Sequence, residues 1–466
     1  MNDMANLDIS HLKRLSTIRS GKNIKFLTPA VYSGGWCPMR VACNIVEDIK
    51  GVSYVLIGMP ECGVYSRGMS ALPEGPGGEL RRIYVLDANE VVFGCKRGVV
   101  EALKTMDAEG AKAILMIATC VTDLIGEDFE GIINEAQPEL NARLSFVTLG
   151  QFCNFGSPMG TWKTAEALGA FMTRREKDGN RANALFIEPW RNKKDPVKFP
   201  LVVGALRNMG VDIRPIAAGA DLGDYMNAPD AALNLTLSSY MQPLAARMEN
   251  TFGVPYAPLH RAFSVADIDG VYEGISSAFG LCGADRPDGS QSSQGSHGSR
   301  SSRDGCFGEI FSAWRDRAVG LEARAARELR GLRYAILPGV DMPAAVALYL
   351  AGFGMEPLII HIEDFHREDA GYAADLKALG YDPPVCRMMN IDHDIGIIGR
   401  MKPDICFGNL PDPPAPIEGL RSSEEMGDFF GVTGYERTVG ILSRIFTVLE
   451  TGETGERMDL YGPVPL

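Results

Sequence analysis

Short apolar runs alternate with amphipathic stretches along most of this chain. Each run is rich in branched residues and bounded by Gly, Pro, Asn or Asp, a pattern typical of buried strands. The stretches between the runs repeat their apolar residues at helical spacing. This alternation predicts βαβ units and therefore an α/β fold with doubly wound parallel sheets. The predicted strands are 52–58, 113–118, 184–187, 233–237, 334–337, 357–362 and 404–407, and the predicted helices are 96–109, 197–209, 245–252, 342–352 and 373–379.

The strands fall into three groups, which predict three α/β units. The second and third groups share the same order of elements, a strand, a helix and a return into the next strand. The segments LRNMGVDIRPIA and LAGFGMEPLIIHI show this similarity. Residues 283–305 are dominated by Ser, Gly and charged residues, which predicts a flexible insertion with little to bury. We expect a first domain over 1–178, a second over 179–278, an insertion and helical connector over 279–330, and a third domain over 331–466 whose stretch 420–450 is helical.

Charge and hydropathy exclude some classes of protein. The 466 residues carry a formal net charge of −13, which argues against a nucleic-acid-binding protein because such proteins need a basic surface. No apolar stretch approaches the ~20 residues of a membrane-spanning helix. The N-terminal residues lack the apolar core of a secretory signal. We therefore expect a cytoplasmic protein that binds neither nucleic acid nor membrane.

The ten cysteines call for an explanation, because disulfides are disfavoured in the cytoplasm. Buried thiols, redox thiols and metal ligands are the remaining interpretations. Most of the ten are expected to be small buried apolar residues. We assign this role to Cys43, Cys95, Cys153, Cys386 and Cys406, and expect Cys282 and Cys306, which flank the insertion, to be exposed or partly ordered.

Three other cysteines have a distinct context. Cys37 lies before a helical stretch in GGWCPMR, while Cys62 in MPECGVYSRG and Cys120 in ATCVTDLIGED each follow a predicted strand. Loops at the carboxyl ends of parallel strands meet at one rim, and helix N-termini favour the thiolate that iron–sulfur clusters require. An ordinary cubane iron–sulfur cluster usually takes four cysteine ligands, so three thiolates are an incomplete set. The missing ligands would come from another chain, from a residue other than Cys, or through a shared cluster.

Several segments carry a family resemblance. The segments LIGMPECGVYSRG, NEVVFGCKRGVVEAL and MIATCVTDLIGEDFEGII are similar, in order and context, to segments of the nitrogenase component 1 family. The later segments LNLTLSSYM, MKPDICFGN and DFFGVTGYERTVGI resemble the family more weakly. The resemblance implies three Rossmann-like domains with parallel sheets around a central cleft, which agrees with the three groups of strands.

The resemblance also implies site residues. In this family three cysteines hold a P-cluster-type iron–sulfur cluster, [8Fe-7S] or alternatively [4Fe-4S], shared between an α-type and a β-type subunit. They fall on Cys37, Cys62 and Cys120 here, and a serine near the cluster in β-type subunits resembles Ser157. The cofactor-anchoring Cys and His of α-type subunits are not matched, because Ser238 and Glu425 lie near those places. The resemblance therefore favours a β-type, electron-relaying subunit.

Partners and reaction follow from the same resemblance. It implies a homologous α-type subunit in an α2β2 heterotetramer, and a homodimeric ATP-dependent [4Fe-4S] reductase that docks near residues 62–67 and 120–127. The chain itself has no P-loop motif. Methylthio-alkane reduction, which cleaves C–S bonds, is the favoured reaction. The alternatives are a protochlorophyllide or chlorophyllide reductase subunit, a cofactor-assembly scaffold, and a structural protein with coincidental cysteines.

Overall fold

The computed structural model describes residues 9–29, 37–67, 74–150, 157–187, 199–281, 306–408, 422–423 and 432–451. Two short strands, β1 (Lys13–Arg14) and β2 (Lys25–Phe26), precede the first complete βα unit. The predicted insertion at 283–305 lies outside these residues. Within the described part, no helix combines the length and apolar character needed to cross a bilayer.

The first sheet is parallel and has the strand order β4-β3-β5-β6. Residues of β3 alternate between two apolar clusters, with Leu56 on one face and Val55 on the other, so both faces of the sheet are covered. Its strands are β3 (Ser53–Gly58), β4 (Arg81–Val85), β5 (Ala113–Ala118) and β6 (Arg143–Thr148), and its helices are α1 (Pro38–Glu47), α2 (Pro60–Arg67), α3 (Ala88–Phe93), α4 (Lys96–Ala108), α5 (Cys120–Ile125), α6 (Phe129–Ala136) and α7 (Ser157–Leu168).

The second sheet is also parallel, in the order β10-β9-β7-β8. Leu185 and Leu244 of this unit belong to the same apolar cluster as Leu56, so the first and second units share a core. The strands are β7 (Asp178–Leu185), β8 (Asp212–Ile216), β9 (Ala231–Thr236) and β10 (Tyr256–Ala257), and the helices are α8 (Leu201–Asn208), α9 (Leu222–Asn227), α10 (Gln242–Phe252) and α11 (Val265–Ala278).

The third sheet has the order β1-β13-β12-β11-β14-β15, and β2 also pairs with β13. All its pairs are parallel except that of β1 with β13. The strands after β10 are β11 (Arg333–Ile336), β12 (Glu356–His361), β13 (Pro384–Arg387), β14 (Ile405–Phe407) and β15 (Ser422–Ser423), and the helices are α12 (Cys306–Glu328), α13 (Pro343–Gly352), α14 (Asp369–Ala378), α15 (Ile391–Met401) and α16 (Tyr435–Thr451).

Two features of the third sheet differ from the sequence prediction. Residues 13–14 and 25–26 pair with β13, although the predicted first domain began at residue 1. The stretch 420–450 is not helical throughout, because 422–423 form β15 against β14 and the helix begins at Tyr435. A strand of two residues is too short to show a periodic pattern in the sequence. Its partner is therefore decided by which sheet edge the folded chain places beside it. The other domain boundaries stay predictions.

Candidate functional site

The three predicted cysteines lie at helix N-termini along the carboxyl edge of the first sheet. Cys62 is the third residue of α2, which follows β3, and Cys120 is the first residue of α5, which follows β5. Cys37 is the N-cap of α1. Strands β3 and β5 are neighbours, with Ile57 opposite Ala118, and the chain leaves β3 first toward β4 and then returns to β5 on the other side. Such a reversal of strand order opens a crevice at the carboxyl ends, where α/β proteins bind ligands.

The structure brings the three thiols together. The sulfur of Cys37 is close enough to Cys120 and Cys62 for their charges to act on its pKa. Burial is the largest influence and raises that pKa, while the N–H groups of Met39 and Arg40 lower it. All three cysteine residues are partly exposed. Three thiols from separate loops therefore lie in one region at the carboxyl edge of the first sheet, and their role as ligands stays a prediction.

The donor set suits a cluster better than a single ion. In the described residues, no three His, Cys, Asp or Glu side chains are close enough to hold one metal ion. In an iron–sulfur cluster each thiolate binds a different iron, which spreads the ligands further apart. Partial burial and helix N-termini are also the surroundings in which cysteines serve as thiolate ligands. The three thiols thus suit a cluster better than a single metal ion.

The other described thiols behave as predicted. Burial raises the pKa of Cys43 and of Cys406 to about 12, so both stay neutral. The fully buried cysteines are Cys43, Cys95, Cys386 and Cys406, which confirms their assignment as small core residues. Cys153 and Cys282 lie outside the described residues, and Cys306 begins α12 with a side chain outside them.

The position of Cys37 depends on a close contact that the sequence did not reveal. Gly160 of α7 faces the backbone of Pro38, the residue after Cys37. A Cβ at Gly160 would lie 2.5 Å from the Pro38 carbonyl oxygen and 2.9 Å from its Cα. Only glycine allows the two helices to approach this closely. Helix α7 therefore fixes the start of α1, and with it the Cys37 sulfur.

A second close contact joins the loops that carry Cys62 and Cys120. The Thr119 hydroxyl donates a hydrogen bond of 2.9 Å to the Ile57 carbonyl oxygen. A Cβ at Gly58 would lie 2.2 Å from that hydroxyl oxygen. Because Thr119 is 2% exposed, this bond is shielded from water and holds the end of β3 to the start of α5.

Large apolar side chains are exposed on the helices that carry Cys62 and Cys120 and on α3. Val64, Phe93 and Leu124 are 75%, 85% and 60% exposed and lie on the helices that follow β3, β4 and β5. We call Val64, Val92, Phe93, Leu124 and Ile125 the apolar rim. Several large exposed apolar side chains on consecutive helices are typical of an interaction site. In the sequence, Val92 and Phe93 of this rim lie in the VVFG segment, which belongs to the family resemblance.

Ser157 begins α7, the helix that packs on α1, and its side chain lies outside the described residues. The structure therefore places this residue on the helix that supports Cys37. Whether its hydroxyl binds the cluster stays a prediction.

His361, His393 and His11 make ordinary structural contacts. The ring Nδ1 of His361 accepts a 3.0 Å hydrogen bond from the Met388 N–H, and burial lowers its pKa to about 3. His393 contacts Asn390, and the His11 ring contacts the Phe26 carbonyl oxygen. Ser238 is buried and accepts a hydrogen bond from the Tyr240 N–H, so its hydroxyl caps a short helix. Glu425 lies outside the described residues.

Comparisons with known proteins identify the family and support the fold. The family model of nitrogenase component 1 type oxidoreductases matches residues 37–450. The nitrogenase iron-molybdenum cofactor biosynthesis protein NifE of Clostridium pasteurianum is 25% identical over 258 residues. This match covers 52% of the chain and 55% of the relative, so the chain spans about half the length of the curated relative it matches.

Two solved structures support the fold. Nitrogenase Cp1 at pH 6.5 aligns with a TM-score of 0.61 and 13% identity, covering 91% of this chain and 94% of that one. Nitrogenase Cp1 at pH 5 aligns with a TM-score of 0.58 and 16% identity, covering 96% and 97%. These likenesses confirm the predicted α/β fold class. Because the family model begins at Cys37 and extends into α16, the chain belongs to the nitrogenase component 1 type oxidoreductase family.

Proposed function

We propose that this chain is the β-type subunit of a nitrogenase-like two-component reductase. Cys37, Cys62 and Cys120 would hold half of a P-cluster-type cluster, [8Fe-7S] or alternatively [4Fe-4S], and a homologous α-type subunit would hold the other half. The observation that carries the proposal is the placement of three partly exposed thiols at helix N-termini in one region of the first sheet's carboxyl edge. Three thiols at a surface leave room for ligands from a second chain.

The chain's own residues explain how such a cluster would be held. The cluster would supply one-electron transfer, while the protein fixes the ligands and limits access of water. N–H groups at the helix starts stabilise negative charge on the sulfurs. Since burial raises the pKa of Cys37, that thiol must lose its proton when iron binds, and cluster loading should improve as pH rises.

The apolar rim supports the proposed partners. Phe93 and Leu124 expose large apolar surfaces beside the thiols, a composition suited to the centre of a protein interface. We assign the part of the rim on α3, Val92 and Phe93, to contacts in an α2β2 heterotetramer. The surface at 62–67 and 120–127, which carries the other rim residues, would accept the homodimeric ATP-dependent [4Fe-4S] reductase. Electrons would pass from that reductase through the shared cluster to a catalytic cofactor in the α-type partner.

The absence of cofactor anchors favours the relay role over a catalytic one. Near the place of the α-type cysteine the chain has Ser238, whose hydroxyl already caps a helix. A hydroxyl is a poor substitute for a thiolate on a sulfide-rich cluster. For the substrate, the resemblance favours methylthio-alkanes, whose C–S bonds would be reduced, with protochlorophyllide or chlorophyllide as the alternative.

A second candidate is a cofactor-assembly scaffold. The match to NifE, a cofactor biosynthesis protein, favours this candidate. A scaffold and a reductase would share the fold and the thiols but differ in turnover.

The test is anaerobic co-purification of the chain with its partner subunit, followed by iron and sulfide analysis. The reductase proposal expects ATP-dependent reduction of thioethers, or of the chlorophyll precursors, when the iron protein is added. A complex that binds iron and transfers a bound cluster to another protein without turnover would favour the scaffold. A complex without iron would refute both proposals.

A further inference from the structure

A cavity lies where the three units of the chain meet. Its volume is about 400 Å³, the size of pockets that hold small organic ligands. None of its described lining residues is a cysteine. They are Ser20, Gly21 and Lys22 from the N-terminal segment, Met159 and Trp162 from α7, Pro243 from α10, Asp364, Phe365, His366 and Arg367 from the loop after β12, and Arg387 from the end of β13.

The charged side chains of the cavity are mostly cationic, although the chain as a whole carries −13. Lys22 and Arg367 are exposed, and in the described part of the chain neither has an ion-pair partner. Arg387 is 6% exposed and donates from Nε to the Glu363 carbonyl oxygen at 3.1 Å. Lys22 and Arg367 therefore leave a positive surplus at the open side of the cavity, whereas the buried Arg387 faces the carboxylates of Asp364 and Glu363.

The acidic group in the lining already has donors. The Trp162 ring N–H donates to one oxygen of Asp364 at 3.0 Å, and the Phe365 N–H donates to the other at 2.9 Å. His366 lies 4.0 Å from the same carboxylate and edge-on to the Trp162 ring. Asp364 therefore serves to join α7 to the loop after β12, and its charge is partly balanced within the wall.

The remaining walls are apolar. Met159, Trp162, Pro243 and Phe365 supply carbon surface opposite the cations. Gly21 packs closely against the polar wall, because a Cβ there would lie 3.1 Å from Arg387 Nη2 and 3.3 Å from Asp364 Oδ1. A cavity with aromatic walls and a cationic mouth suits a ligand with an apolar body and a negatively charged end.

We infer that this cavity is a binding site for a small organic anion, a carboxylate with an apolar or aromatic body. The body would pack against Trp162 and Phe365, and the carboxylate would face Lys22 and Arg367. The carboxyl ends of β12 and β13 position the loop residues, as in other α/β ligand sites. This inference does not rest on the proposed cluster, since the site shares no side chain with it.

The test uses the purified full-length chain and 1-naphthoate, with neutral 1-naphthylmethanol as the matched probe. Calorimetric titration should show that naphthoate binds at least tenfold tighter than the alcohol. Lys22→Ala and Arg367→Ala should each weaken naphthoate binding by roughly fivefold to tenfold, the loss of a charge-assisted contact at a partly exposed site. Arg317→Ala, at an exposed arginine of α12, is the control and should leave binding unchanged.

Three results would overturn the inference: equal affinity for the acid and the alcohol, equal weakening by Arg317→Ala and Arg367→Ala, or no binding of naphthoate at millimolar concentration. Circular dichroism and melting temperature verify that each variant is folded. Because the Lys22 and Arg367 side chains are exposed, at least one of the two variants should fold as the wild type does. Failure here would leave the iron content unaffected and so would not count against the proposed function.

Discussion

Replacement of Gly160 by Ala should displace Cys37 without touching any cysteine. The new Cβ would lie 2.5 Å from the Pro38 carbonyl oxygen, against at least 3.4 Å for an ordinary contact, so helix α7 and the start of α1 must separate by about 0.9 Å. Both clashing groups are backbone, which leaves no flexible side chain to move aside. A shift of this size exceeds the ~0.5 Å tolerance of a built ligand site.

The same change should have a modest effect on stability. Overpacking costs about 1–3 kcal/mol, while Ala in place of Gly inside a helix contributes about 1 kcal/mol in the opposite direction. We expect the free energy of unfolding to fall by about 0–2 kcal/mol. Iron and labile sulfide per chain, measured after anaerobic reconstitution with the partner subunit, should fall to half of the wild-type value or less. Urea unfolding measures the stability.

The control is Gly274→Ala, in an exposed turn of α11 where a Cβ meets nothing within 4 Å. This variant should be stabilised by about 0.4–1 kcal/mol and should bind iron as the wild type does. If Gly160→Ala keeps full iron content while its stability falls, the contact exists but Cys37 is not a ligand, and the reasoning fails.

Three further predictions concern single side chains. Cys62→Ala should abolish the cluster, whereas Cys43→Ala should keep it; iron analysis decides, and retention of iron by the first variant would refute the assignment. Phe93→Asp should weaken assembly with the partner subunit, as measured by size-exclusion chromatography. Ile310→Asp, at another exposed apolar residue, is the control and should not weaken it. If both variants weaken assembly equally, the rim is not part of the interface. Burial raises the pKa of Glu436 to about 7 from 4.5, so the folded state resists its ionisation and loses stability as pH rises from 4.5 through 7. Glu436→Gln should therefore stabilise the protein by about 3 kcal/mol at pH 8 and by little at pH 4.5. Urea unfolding measures the free energy of unfolding of both proteins at the two pH values. If the difference between variant and wild type is the same at both, the reasoning is wrong.

Much of the fold could be predicted because its signals are local. The apolar run at 113–118 coincides with β5, and the helical pattern at 96–109 with α4 (Lys96–Ala108). A strand buried on both faces must be apolar throughout, and an amphipathic helix must repeat at its own period, so each element shows its pattern without its neighbours. The two-residue strands β1, β2 and β15 have no such pattern and could not be predicted.

The thiols were predictable as candidates for a related reason. Cys62 and Cys120 follow strands, and the rule that parallel strands end at a common edge requires only the order of elements. The sequence by itself therefore determined the α/β architecture, the identity of the candidate ligands and the resemblance to the family that contains the chain.

Only the tertiary structure decided how these parts are fixed and what surrounds them. The contact of Gly160 with Pro38 and the bond of Thr119 to Ile57 join residues far apart in sequence, and each partner alone is an ordinary residue. The apolar rim and the cavity between the units depend on which surfaces remain uncovered after packing. Such properties arise from pairs of distant residues in three dimensions, which no local pattern along the chain encodes.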